Sequence, residues 1–205
     1  RMYMKIIGIT GGVGSGKSEV LRYLEEKYGA VVCEADLVAK NLQKKGTICY
    51  NKIVEHFGEE ILDENGRIDR PHLARIVFKD DEELHVLNAI VHPAVKENIR
   101  RKIQEIKQGT ELFVLEAALL LEEHYDEICD EVWYIYANEE VRKKRLKLSR
   151  GYSEEKIEDM FRAQKSRDEF LEHSDRAVDN SRSFDDTREQ LDDMLKDFGI
   201  KKSQV

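Results

Sequence analysis

A chain of 205 residues, 40% hydrophobic and 37% charged, has room for one sizeable core with an inserted subdomain and the composition of a well-solvated globular protein. Its formal net charge of −8 argues against broad binding to nucleic acid or to an anionic membrane, while leaving room for a local basic site. Cys33, Cys49 and Cys129 lie far apart without metal-ligand spacing, no apolar run approaches a membrane span, and no secretory leader is recognisable, so a reducing, cytoplasmic setting is expected. Nothing in the pattern calls for an obligate protein partner.

The run Lys5-Ile6-Ile7-Gly8-Ile9-Thr10 is a predicted strand, and Gly11-Gly12-Val13-Gly14-Ser15-Gly16-Lys17-Ser18 follows at once. A helical pattern comes next, with Val20, Leu21, Leu24 and Tyr28 on one face and Gly29 as its stop. The spacing G-x-x-x-x-G-K-[ST] between a strand and a helix is that of a phosphate-binding loop. Glycines let successive backbone N–H groups turn inward, and with the helix N-terminus they form a positive nest. Gly11, Gly12, Val13, Gly14, Ser15 and Gly16 would cradle the phosphates of a nucleoside triphosphate, while Lys17 reaches its β- and γ-phosphates and the Ser18 hydroxyl ligates Mg²⁺. A flexible glycine turn with an exposed lysine is the alternative, and the strand before and helix after weigh against it.

Ala30-Val31-Val32-Cys33-Glu34-Ala35 reads as a buried second strand with Asp36 at its carboxyl end, the edge at which open α/β sheets bind ligands. An N-cap for a helix from Leu37 explains Asp36 nearly as well. Residues 37–108 then look almost wholly helical. The segments are Leu37 to Lys45, Ile48 to Phe57, a turn at Asp63-Glu64-Asn65-Gly66, and His72 to Phe78 with Pro71 just inside its start. Glu82 to Val91 runs on to His92-Pro93, and a further helix continues to Lys107. So long a stretch without a strand points to a helical insertion after strand two.

Leu112-Phe113-Val114-Leu115, ending in Glu116, and Val132 to Ala137 are uninterrupted apolar runs, predicted as strands three and four, with Ala177-Val178 as a short fifth. Continuous apolar strands alternating with helices imply an α/β fold on a parallel sheet covered on both faces. A last helix from Asp185 to Phe198 turns Leu191, Met194, Leu195 and Phe198 inward, and the tail Lys201 to Val205 is expected to fray.

Between strands four and five, Arg142, Lys143, Lys144, Arg145, Lys147 and Arg150 place six basic residues within nine positions, with no acid among them. Arg162, Lys165 and Arg167 add three more. Most charge runs are solvated helix faces. Beside a triphosphate site, a basic helical flap would supply the charge stabilisation that phosphoryl transfer needs. Among phosphate-loop proteins, a GTPase switch should show N-K-x-D, which is missing, and its D-x-x-G match at Asp63 to Gly66 sits in a polar turn. A remodelling ATPase would be larger and carry an acid at a strand end, a place Glu116 holds. A small-molecule kinase fits best, and an ATP-dependent regulatory binding module without catalysis is the non-kinase alternative.

The residues also carry a family resemblance. Ile7 to Ser18 closely resembles the opening of dephospho-coenzyme A kinases, and Gly29-Ala30-Val31-Val32-Cys33-Glu34-Ala35-Asp36 is similar to their G-A-x-V-x-x-A-D. Ile68-Asp69-Arg70 with Leu73, Leu87-Asn88-Ala89-Ile90-Val91-His92-Pro93, and Ala118-Leu119-Leu120-Leu121-Glu122 continue the series. Gln164 with Ser166 and Arg167, and Val178-Asp179-Asn180-Ser181, complete it in unbroken order from about residue 5 to 198. The resemblance implies transfer of the ATP γ-phosphoryl group to the 3′-hydroxyl of dephospho-CoA, with Mg²⁺. It also implies a three-layer P-loop fold with a five-stranded parallel sheet: core 4–37, 109–140 and 175–200, a helical CoA-binding insert 38–108, and a helical lid 141–174, in a single kinase domain.

On that resemblance Lys17, Asp36, Arg145 and Thr10 are the catalytic candidates, with Asp36 accepting or orienting the hydroxyl proton and Thr10 beside the reacting groups. Asp36, His92 and Arg70 fall at acceptor positions, and Asn180 at the adenine side of the ATP site. A strand-end hydroxyl bonded to backbone, a structural histidine, an exposed arginine and a plain turn are the alternatives for Thr10, His92, Arg70 and Asn180. The family lid commonly reads R-x-x-x-R-D; here Arg145 matches the first arginine, but Ser149 and Arg150 stand at the other two positions, leaving Arg142 and Arg150 as candidate substitutes. The family's P-L-L-F-E lacks its proline here, and Ser18-Glu19 replaces serine-threonine. A nucleoside-monophosphate kinase is the runner-up.

Overall fold

Strand β1 (Lys5–Thr10) lies at the centre of the sheet, flanked by β3 (Leu112–Glu116) and β4 (Glu131–Tyr136). β2 (Val31–Glu34) and β5 (Arg176–Asp179) complete the order β2-β3-β1-β4-β5. This computed structural model describes residues 3–106 and 108–204. The pairs β1–β3, β1–β4 and β4–β5 run parallel, with Ile9 opposite both Glu116 and Trp133, and Thr10 opposite Tyr134. Four consecutive residues of β3 and four of β4 are buried, so both faces of these strands are covered, which is why they read as continuous apolar runs.

On one face, Ile7, Ile9, Val114, Trp133, Ile135 and Val178 meet Val20 and Leu24 of α1 (Lys17–Tyr28) and Leu191 and Leu195 of α9 (Phe184–Lys196). Most of these side chains are fully buried, each worth about 1.5–3 kcal/mol relative to exposure for a residue of Leu or Ile size. Helix α1 ends where Gly29, in the left-handed region at φ 63°, donates its N–H to the Leu24 carbonyl, as its sequence position implied. The tail does not fray as expected over its described residues. Lys202 pairs with Asp192 at 3.0 Å and Ser203 N–H donates to the Lys27 carbonyl at 2.8 Å; Val205 lies outside the described residues.

Contacts divide the chain into two compact units. One comprises the residues up to Cys33 together with those from Ile106 onward, and the other is Glu34–Glu105. The second is helical: α2 (Ala35–Leu42), α3 (Ile48–Phe57), α4 (Arg70–Lys79) and α5 (Asp81–Glu105). Two expectations are corrected here. Strand β2 stops at Glu34, and Asp36 lies in the first turn of α2 rather than at a strand end; nor is Asp36 the cap, which is Glu34. The helix interrupted at His92-Pro93 is instead one continuous element through Pro93. Val91, Val95 and Ile99 recur at four-residue intervals and are buried, so packing of one face outweighs the hydrogen bond that proline removes. Its expected extension to Lys107 falls on a residue outside the described ones.

In the sheet-bearing unit, β4 leads into α6 (Glu139–Arg150), α7 (Glu154–Ala163) and α8 (Arg167–Glu172), the basic segment of the sequence. Ser153 caps α7 by accepting from Lys156 N–H, and Ser166 forms a capping box with Glu169 at the start of α8. Local caps thus cut one basic stretch into three short helices.

Candidate active site

Strand β1 delivers its last residue, Thr10, to the carboxyl edge of the sheet, and residues 11–16 turn from there into α1. Gly16 adopts φ 88° as the residue before the helix, a conformation that favours glycine, and a Cβ there would collide with the Asn180 amide. A Cβ on Gly12 would come within 2.5 Å of Arg142 Nη2 and 2.7 Å of Gln164 Oε1, so a side chain there would displace the ends of both from the loop. At the helix end of the loop the sequence pattern is therefore steric.

Lys17 donates from Nζ to the Gly11 carbonyl at 2.7 Å and lies 3.7 Å from Glu116 Oε1. Both side chains are largely buried, so the ammonium is held at the loop's mouth against a carboxylate from the neighbouring strand. The hydroxyls of Thr10 and Ser15 are also buried and make no hydrogen bond to the protein. Buried hydroxyls without partners are uncommon, and two at one phosphate-type nest are donors ready for an external acceptor. The backbone-bonded alternative for Thr10 is not what its side chain does.

Asn180, 2% exposed just past β5, braces the loop from the other side. Its Nδ2 donates to the Ser15 carbonyl at 2.8 Å, and its Oδ1 accepts from the Thr187 hydroxyl at 2.6 Å. Arg145 Nη2 donates to the Asn180 carbonyl at 2.6 Å, while Nη1 reaches the Ser15 carbonyl at 3.2 Å. One helical turn away, Arg142 Nε donates to the Val13 carbonyl at 2.9 Å and Nη2 to Gln164 Oε1 at 2.8 Å, with Phe161's ring 4.1 Å beneath the guanidinium. Burial pulls both guanidinium groups below their ordinary pKa, with the carboxylates of Glu19 (for Arg145) and Glu139 (for Arg142) opposing that shift. Two positive groups thus overhang the loop and hold its carbonyls.

The other candidate substitute takes no part. Arg150 lies against the Tyr152 ring at 5.9 Å, and Ser149 Oγ donates to the Arg145 carbonyl of its own helix at 2.6 Å. The second cation at the loop is Arg142. Sequence reasoning gave it no more weight than Arg150, because helical spacing alone does not say which turn faces the loop. Phe161 of α7 and Gln164 just after it fix Arg142, and Glu116 had no assigned role; only its strand-end position hinted at one.

Thr10, the loop, Lys17, Asn180 and Arg145 are therefore assembled within the sheet-bearing unit. Asp36 (exposed, first turn of α2), Arg70 (exposed, first residue of α4) and His92 (half-buried, within α5) belong to the helical unit. Among the described residues, no three His, Cys, Asp or Glu side chains form a ready metal cluster. The Ser18 hydroxyl, on the second residue of α1, and the Glu116 carboxylate are hard oxygen donors of the kind that suits magnesium, which keeps several waters and binds few protein groups.

A family model described as Dephospho-CoA kinase matches residues 5–186. A dephospho-CoA kinase of Carboxydothermus hydrogenoformans is 41% identical over 191 residues, covering 93% of this chain and 92% of its own. One from Aquifex aeolicus is 40% identical over 188 residues, covering 92% and 94%. A crystal structure of a Thermus thermophilus protein superposes with a TM-score of 0.81 at 30% identity, over 95% of this chain and 98% of that one.

Proposed function

The chain belongs to the dephospho-CoA kinase family, and on that premise we propose that it transfers the γ-phosphoryl group of ATP to the 3′-hydroxyl of dephospho-CoA, giving coenzyme A and ADP. The observation that carries phosphoryl transfer is the loop itself: an N–H nest with Lys17 at its mouth, two buried unpartnered hydroxyls, and Arg142 and Arg145 above it. Residues 11–16 hold the triphosphate, and Lys17 exchanges its bond to the Gly11 carbonyl for the β- and γ-phosphate oxygens. The Thr10 hydroxyl donates to the phosphate region, and Asn180 keeps the loop in shape on the nucleotide side. Residues 141–174 act as the lid and residues 38–108 as the acceptor-holding insert.

Asp36 orients the acceptor hydroxyl. Its oxygen attacks the γ-phosphorus as the bond to the β,γ-bridging oxygen breaks, and the hydroxyl proton passes to the Asp36 carboxylate. Because the transferred group is metaphosphate-like, alignment contributes more than full deprotonation. His92 and Arg70 serve the acceptor. Ser18 and Glu116 would be the protein-side oxygen donors to Mg²⁺, which would supply charge neutralisation for the triphosphate. The reading places the enzyme in the cytoplasm acting on small molecules, without a nucleic-acid, membrane or obligate protein partner; no helix among the described residues is long and apolar enough to cross a membrane.

The test is acceptor-dependent ADP release from ATP and Mg²⁺, with dephospho-CoA set against a panel of nucleoside monophosphates. Release with dephospho-CoA alone supports the reading. Release with a monophosphate makes the chain a nucleoside-monophosphate kinase, and no acceptor-dependent release leaves an ATP-binding module.

A further inference from the structure

Along its inward face α9 carries Thr187, Leu191 and Leu195 at four-residue intervals, and all three are fully buried. Leucine at the second and third places serves the core. Threonine at the first is a different choice, because a buried hydroxyl costs free energy unless it finds a partner. A helical threonine can turn back to the carbonyl four residues earlier. Here the Ser183 carbonyl stands 3.5 Å from Thr187 Oγ1, while Asn180 Oδ1 is at 2.6 Å. The hydroxyl has one proton, and the shorter contact takes it.

The direction of that bond is dictated by its neighbours. The Ser15 carbonyl can only accept, so the Asn180 amide must present Nδ2 to it, at 2.8 Å. Its Oδ1 then faces α9, and the Thr187 hydroxyl must be the donor. The backbone of Asn180 is held independently. Its N–H donates to the Tyr136 carbonyl at 2.7 Å, and Gln190 bonds both the N–H and the carbonyl of Asp179, at 2.9 and 2.8 Å. What Thr187 adds is the orientation of the amide alone.

The effect reaches the loop through one peptide unit. In a trans peptide the carbonyl and the following N–H point to opposite sides. Asn180 Nδ2 makes the shorter of the two bonds to the Ser15 carbonyl, Arg145 Nη1 the longer, so the Gly16 N–H of the same unit is aimed away from Asn180. Among the described residues that N–H donates to no backbone group. We propose that Thr187 is a positioning residue for the triphosphate: through Asn180 it holds the Ser15 carbonyl back and keeps the Gly16 N–H turned to the phosphates. A flipped amide would set Asn180 Oδ1 against the Ser15 carbonyl, two acceptors with no proton between them, and would press the peptide to rotate. The proposal rests on the triphosphate reading of the loop and is independent of the acceptor.

The experiment is calorimetric titration of ATP with Mg²⁺ into the wild type, Thr187→Val, Thr187→Ser, Asn180→Ala and Thr187→Val/Asn180→Ala, with thermal melting as the folding control. Valine keeps the shape without the hydroxyl, so the Kd for ATP should rise about five- to tenfold. Serine keeps the hydroxyl and should stay within about twofold of wild type. Thr187→Cys, a weak donor in nearly the same volume, should fall between the two, and replaces valine in the comparison if that variant does not fold. In the Asn180→Ala background, Thr187→Val should change the Kd by less than about twofold, because its effect passes through that amide. A lower melting temperature with an unchanged Kd in Thr187→Val makes the hydroxyl structural only and overturns the proposal. So does a loss in Thr187→Ser equal to that in valine or cysteine, or a loss that multiplies with that of Asn180→Ala. A wild type that does not bind ATP overturns the triphosphate reading, and this proposal falls with it.

Discussion

Lys17 shows how much one side chain can depend on its setting. Nothing about a lysine marks it for catalysis until a glycine loop, a helix start and the Glu116 carboxylate 3.7 Å away hold its ammonium at the loop's mouth. Lys17→Ala should remove measurable phosphoryl transfer while leaving the fold intact, read as ADP release beside an unchanged melting curve. Asp36→Asn keeps the shape and removes the proposed proton acceptor, so turnover should fall by about two orders of magnitude or more; near-normal turnover would remove Asp36 from its role. The arginines are separated by geometry. Arg142→Ala and Arg145→Ala each lose a guanidinium bonded to the loop, and each should lower kcat/KM by at least about tenfold, whereas Arg150→Ala should stay within about twofold of wild type. Equal losses in all three would mean that the lid acts as a diffuse cloud of charge.

At the scale of elements, local pattern was readable and tertiary choice was not. The strand-loop-helix around Gly11 to Ser18, the apolar strands and the Gly29 stop follow from periodicity and glycine chemistry, and the structure has them within a residue or two. A proline removes an N–H and so marks a break in the sequence at Pro93; only the buried row of Val91, Val95 and Ile99 shows why α5 runs through it. The boundary before Asp36 is ambiguous for a related reason, since Ala35 suits the end of a buried strand as well as the first turn of a helix. Which turn of α6 faces the loop was equally hidden, because Phe161 and Gln164 meet Arg142 from α7 and the residue after it. Helix α5 offers a stability test. An interior proline costs a helix about 3 kcal/mol, part of it already relieved by local adjustment, so Pro93→Ala should stabilise the protein and raise the melting temperature by about 2–6 °C. A lower melting temperature would show that the proline itself is packed to advantage.

Across the whole molecule, ends of the chain remote from each other are joined by one carboxylate. Asp192 accepts from the Tyr23 hydroxyl at 2.7 Å and the Tyr28 hydroxyl at 2.5 Å and pairs with Lys202, tying α1, α9 and the tail together. Burial pushes the Asp192 pKa up, but the bonds from Tyr23, Tyr28 and Lys202 outweigh it and hold the pKa below the ordinary value. A carboxyl with a depressed folded pKa adds stability in full above its unfolded value of about 4 and loses it as the pH falls through the folded one. Asp192→Ala should therefore cost about 2 kcal/mol near pH 7, a fall of about 4–8 °C in melting temperature, and the gap from wild type should shrink as the pH drops below about 4. A gap that stays constant with pH would place the contribution in packing rather than in charge.

The loop, its lysine, Arg142 and Arg145 come together in one unit, and Asp36 belongs to the other. The transfer itself is tested most directly by identifying the product formed from ATP, Mg²⁺ and dephospho-CoA. One new phosphate is expected on the ribose 3′-oxygen, formed in step with ADP and absent with Lys17→Ala. A phosphate on any other atom, or ADP formed without phosphorylated acceptor, would contradict it.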